Sequence, residues 1–138
     1  MGIKITGFDK PPSPQSLPSD VIAKECSGEK NGCFLWNYDV NGDNVKFKTR
    51  ILLRNDLSKS ELPDVLEHER HHWRDFNRLA VELKAAVEKA AKAGQDPQID
   101  DRLEWMLYDY CRAAAAFHRQ IEHMSFEICD QPKNDRPK

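Results

Sequence analysis

The feature that most restricts this chain's fold is a long apolar stripe with a helical period. Leu62, Leu66, Glu69, Trp73, Phe76, Ala80, Leu83, Val87 and Ala90 recur at intervals of three or four, which gives one continuous amphipathic helix and excludes a strand. Ser60 is the candidate N-cap and Pro63 is tolerated in the first turn. The Ala-rich run from Ala85 to Ala93 is a strong helix former, and Gly94 ends it. After the turn Gln95-Asp96-Pro97-Gln98, a second stripe follows: Leu103, Leu107, Tyr110, Ala114, Phe117, Ile121, Met124 and Ile128. This second helix is expected to begin at Asp100 or Asp101, whose charges suit its dipole. So short a connection makes the two helices antiparallel neighbours.

Near the start of the first helix stands H-E-x-x-H, filled by His68, Glu69 and His72. Residues four apart share a helical face, so both imidazoles reach one small cation, and their spacing suits tetrahedral Zn²⁺ bound through nitrogen. Glu69 then lies beside the metal without ligating it, where a general base for a water belongs. Both histidines are expected to flank the apolar stripe rather than centre on it. Against this stands the plainer reading of a solvated helix face that happens to be rich in His and Glu.

The third ligand must come from elsewhere. With the interhelical turn centred near residues 96–97, position 68 faces position 125 and position 72 faces position 121. An allowance of about one helical turn brings His118, Glu122 and His123 level with the motif. Glu104 and Asp109 face positions 89 and 84, too far along the axis at ~1.5 Å per residue. His118 and Glu122 share a face beside the stripe. His118 is the chosen ligand, with Glu122 orienting a motif histidine through a hydrogen bond; Glu122 as ligand is the alternative.

Before the helices, residues 33–54 read as a β-hairpin. Cys33 to Val40 is aromatic-rich, Asn41-Gly42 is a strong hairpin turn signal, and Val45 to Ile51 alternates apolar and polar. Residues 1–20 form a Pro-rich lead or linker in which Ile3–Thr6 can make a short strand, whereas the prolines after it cannot continue a sheet. Val21–Lys24 opens a strand or a helical turn. Residues 131–138 are expected to be a disordered tail. The expected architecture is therefore α+β: a β-hairpin or small antiparallel sheet packed on two long antiparallel helices, within one domain spanning residues 21–130.

Charged residues make up 32% of the 138, with a net charge of -2, so composition makes no electrostatic case for nucleic acid. No apolar run approaches the ~20 residues needed to cross a bilayer, and no signal-peptide pattern opens the chain. Four cysteines lack any C-x-x-C, which argues against a zinc ribbon. Cys26 and Cys33 bracket a Gly-containing turn able to bring them together; either they pair with each other alone or each reaches across to the last helix. Cys111 and Cys129, if both on the last helix, stand about 27 Å apart and do not pair. The cysteines are compatible with an oxidising compartment or with four buried thiols.

An edge-like strand, a helix with H-E-x-x-H (His68, Glu69, His72) and a second helix carrying a further ligand together resemble the zincin metallopeptidases, in particular minimal gluzincin-like domains. In those, the second helix carries a ligand and, four residues on, an acidic group; His118-Arg119-Gln120-Ile121-Glu122 is similar, with His in place of the usual Glu. The chain also resembles a small bacterial family of secreted proteins regarded as zinc proteases, an alignment that would make His123 the ligand. No H-x-x-G-x-x-H extension follows His72, so the pattern is not metzincin-like.

The resemblance implies a secreted or periplasmic zinc metallopeptidase. Zn²⁺ would be held by His68, His72 and His118, Glu69 would act as general base, and the substrate would be a peptide or protein. His71, His123, Arg112 and Tyr110 are candidate oxyanion donors, and the hairpin edge at Val45–Ile51 is a candidate for aligning an extended substrate. The alternative is a non-catalytic helical interaction module stabilised by zinc. A carboxylate-bridged pair of metals would need Glu-x-x-His on both helices, and the last helix has none.

Overall fold

The computed structural model describes residues 2–27, 29–122 and 128–138; the Glu122 side chain, His123 and Met124 lie outside that description. The elements are β1 (Lys4–Thr6), β2 (Pro14–Leu17), α1 (Ser19–Glu25), β3 (Gly32–Asn41), β4 (Asn44–Arg54), α2 (Glu61–Lys92) and α3 (Ile99–Glu122). The class is α+β. Two compact units divide the chain, Met1–Arg74 and Asp75–Lys138, and the division falls inside α2.

In the first unit β4 is the central strand. β3 pairs with it antiparallel from Gly32↔Leu53 to Asn41↔Asn44. The register leaves Gly42-Asp43 as a two-residue loop, and Gly42 at φ +60° supplies the left-handed first position of a type II′ turn. β1 and β2 both lie parallel to β4 on its other edge, at Asn44–Lys46 and Ile51–Arg54 respectively. β1 and β2 therefore take the two ends of the expected β4 edge, at Val45, Lys46 and Ile51, and the outer edge on the other side belongs to β3. The Pro-rich lead also joins the sheet, contrary to expectation, because Pro14 is the first residue of an outer strand, where its missing N–H costs no ladder bond. Gly7, at φ +86°, passes so close to β4 that a Cβ there would lie 2.1 Å from the Phe47 carbonyl oxygen.

Alternation along β4 sorts the faces. Val45, Phe47 and Ile51 are buried, while Lys46, Lys48 and Arg50 are exposed. On the second face α1 packs Ile22 and Cys26 against Cys33 and Leu52, with Leu17 and Leu35 partly covered, and a Cys26–Cys33 disulfide closes this cluster. The cap of α2 is Ser58, not Ser60. The Ser58 hydroxyl accepts from the Glu61 N–H at 3.1 Å, and the Ser58 N–H donates to Glu61 Oε1 at 3.0 Å. This reciprocal capping box satisfies two amide donors at once.

In the second unit α2 ends in a Schellman motif. Gly94, at φ +69°, donates to the Ala91 carbonyl and Gln95 donates to the Ala90 carbonyl. The Asp96 carboxylate then accepts from the Gln98 N–H at 3.0 Å, which turns the chain into α3. Leu79, Leu83 and Ala86 of α2 line one cavity of about 200 Å³ with Arg102, Trp105 and Met106 of α3, consistent with an antiparallel pair.

Two expectations for α3 need correction. Leu107 and Ile121, placed on its stripe, are 44% and 54% exposed, whereas Trp105 is buried. Cys129 is not helical and lies outside α3 (Ile99–Glu122), and it forms a disulfide with Cys111 across a Cα–Cα distance of 5.7 Å; the large separation expected between them held only for both on one helix. Residues 131–138, expected to be disordered, carry specific contacts. Trp105 Nε1 donates to the Asn134 carbonyl, and Arg136 forms a two-pronged bond with Asp109.

Candidate metal centre

Along α2 the buried positions are Glu69, His72, Phe76, Leu79, Ala80, Leu83, Val87 and Ala90. The spacing is the three-four alternation of a single helical face. His72 therefore sits on the stripe rather than beside it, in a place where the rest of the helix carries aliphatic or aromatic residues. His68, one turn earlier, is half-buried. Leu62, expected to begin the stripe, is 41% exposed.

Helical spacing brings the two motif rings together. Their centroids are 4.8 Å apart with planes at 79°, and the two Nε2 atoms approach to 3.2 Å. Nitrogens this close must share a proton or a cation, since two lone pairs facing each other repel. Two ligands of one tetrahedral zinc, with Zn–N near 2.0–2.1 Å, would be separated by about 3.3 Å. His118 of α3 is the third member: potential ligand atoms of His68, His72 and His118 all lie within 4.8 Å of one another. Three imidazoles so placed can hold a metal ion. Nitrogen donors of this kind suit zinc, copper, iron and nickel alike, so the metal's identity is not fixed by geometry. Among the described residues this is the one group of three or more metal-capable side chains at such range.

Glu69 is 4% exposed, His72 5% and His118 4%, and these are the buried polar residues among those described. Burying a carboxylate costs several kcal/mol unless it is paired or hydrogen-bonded. The adjacent surface is ordinary: Glu67 forms an ion pair with Arg74, whose hydrogen bond and charge hold the carboxyl below its usual range.

Other sequence-derived candidates are placed less tellingly. His71 is half-buried with its ring centroid 6.3 Å from that of His72. Arg112 is exposed, and its guanidinium lies over the Tyr108 ring at 5.7 Å. Tyr110 is half-buried. The Glu122 side chain and His123, the rival third ligands, lie outside the described residues. No family model matches the chain, and neither the curated proteins nor the solved structures contain a significant match to it.

Proposed function

We propose that this chain is a zinc-dependent metallopeptidase that hydrolyses an amide bond in a peptide or protein substrate. The observation that carries the reading is the convergence of His68, His72 and His118, with two Nε2 atoms 3.2 Å apart, on the helix that also buries Glu69. Among the described residues the donors number three, the count typical of catalytic zinc sites, whereas structural sites use four. Zinc held by His68, His72 and His118 would supply Lewis-acid chemistry for hydrolysis. Glu69 takes the proton of the attacking water and returns it to the leaving amine. The order of sheet, H-E-x-x-H helix and second helix is similar to that of gluzincin-like domains, which supports the same reading. Two disulfides suit a non-reducing environment, and a secreted or periplasmic enzyme would meet one.

One observation favours a second reading. His72 and His118 are almost fully buried, which suits a zinc that stabilises a non-catalytic interaction module as well as one that meets a substrate. Glu69→Gln separates the two. A peptidase keeps about one zinc per chain in parent and variant, and loses hydrolysis of a casein or peptide-library substrate by about 10²–10⁴-fold in the variant. Zinc in both with no hydrolysis in either supports the module and removes the peptidase.

A further inference from the structure

Some thirteen residues before His118, about 20 Å along the axis of α3, the helix carries a second set of converging groups. Trp105 is 8% exposed. The Arg136 guanidinium lies over its ring, 4.3 Å from the centroid, and its Nε1 donates to the Asn134 carbonyl at 3.0 Å. The Asp109 carboxylate accepts from Arg136 Nη1 at 2.7 Å and from Nη2 at 2.9 Å. Asp101 accepts from the Asn134 amide at 2.9 Å, and Arg102 donates to the Lys138 main-chain oxygen at 3.0 Å. The segment starts at Cys129, bonded to Cys111, and reaches Arg102 at Lys138, with Asn134 on Asp101 and Trp105 and Arg136 on Trp105 and Asp109 between them. An aromatic face combined with a forked carboxylate selects arginine over lysine, because only a planar guanidinium stacks and bonds bidentately at once.

The non-covalent hold is nevertheless weak. The Arg136 and Asp109 side chains are 55% and 28% exposed, and ion pairs in contact with water contribute little. The Cys111–Cys129 disulfide supplies the anchor. Both of its cysteines are only half-buried, whereas Cys26 and Cys33 are each 4% exposed in the first unit's core. The accessible bond is the one a reductant reaches first.

We propose that α3 bears an arginine-binding site for an extended peptide, filled in cis by residues 130–138, and that opening Cys111–Cys129 makes it exchangeable for an arginine-bearing segment of a partner protein. In the opening step a dithiol attacks one sulfur, forms a mixed disulfide and then closes on itself. Two electrons and two protons pass to the cysteines, leaving two protein thiols and an oxidised dithiol. The freed segment is tethered through a longer path, and its effective concentration at the site falls.

The test uses the full chain and a fluorescent peptide with the sequence of residues 130–138, followed by anisotropy. The protein is compared oxidised, after mild dithiothreitol treatment with mass-spectrometric proof that only Cys111–Cys129 is open, and as Cys129→Ser. The peptide is expected to bind both opened forms at least about tenfold more tightly than the oxidised form. Asp109→Asn in the opened protein, or Ala for the peptide's arginine, should remove that binding. Equal binding to oxidised and opened protein, no binding to either opened form, or binding indifferent to Asp109 overturns the proposal. This inference is independent of the metal reading.

Discussion

The two halves of α2 present the same stripe filled with different chemistry. From Phe76 to Ala90 the buried positions are Phe, Leu, Ala and Val; one and two turns earlier they are His72 and Glu69. Helical period alone does not distinguish them, since both satisfy the same spacing. Their energetics do. The apolar half stabilises by removing hydrocarbon from water, whereas the polar half costs free energy unless its groups find partners. A helix that changes from one to the other without breaking its register is a scaffold at one end and a candidate site at the other.

That contrast can be broken from either side. The largest effect belongs to the apolar half: Phe76 is fully buried, so Phe76→Ala should cost about 3–5 kcal/mol in denaturant unfolding, with or without metal. A loss below ~1 kcal/mol would show that this half does not hold the fold. In the polar half, His72→Leu should change sign with zinc. In chelator the variant should match or exceed the parent, because an apolar side chain replaces a buried imidazole. With zinc at a hundred times its Kd the parent should gain about 2.7 kcal/mol that the variant does not. The same ranking in both conditions would mean the histidines are ordinary core residues.

The smallest effect concerns the start of α2. Ser58→Ala removes a capping oxygen and should cost about 1 kcal/mol. The Ser58 N–H and hydroxyl hold the Glu61 carboxyl below its usual value of 4.5. The sign follows from that depression: this contribution is present above pH 4.5 and is lost as pH falls through the lowered value. The stability difference between parent and Glu61→Gln should therefore shrink on acidification. A difference that stays constant from pH 7 to pH 3 would mean the box contributes nothing through its charge.

The parts of the molecule most legible in the sequence are those governed by local rules. Gly94 ending α2, Gly42 in the hairpin turn, and the motif histidines on one face all follow from backbone conformation and helical period. The height argument needed only a short interhelical turn and 1.5 Å per residue; it left His118, Glu122 and His123 level with the motif, and of these His118 has a ligand atom within 4.8 Å of those of His68 and His72, while the Glu122 side chain and His123 lie outside the described residues. Less legible were features set by distant partners. β2 is a strand because β4 offers an edge that tolerates Pro14 at its first position, and nothing within Pro14–Leu17 announces that edge. Trp105 lies off the stripe read for its helix, with Arg136 over its ring and the Asn134 carbonyl on its Nε1. The pairing of Cys111 with Cys129 depended on where α3 stops, and helix ends are the least certain feature of any periodic pattern. Reading His72 as flanking the stripe follows from expecting a site at the edge of a core; the stripe's spacing, followed literally, puts it at the centre.

The most direct test is zinc stoichiometry, measured on purified protein by elemental analysis after dialysis against trace zinc, for the parent and for His118→Ala. The account predicts about one zinc per chain in the parent and loss of tight binding in the variant, with circular dichroism unchanged. A parent that takes up no zinc, or a variant that retains it at parental affinity, would contradict the three-histidine centre.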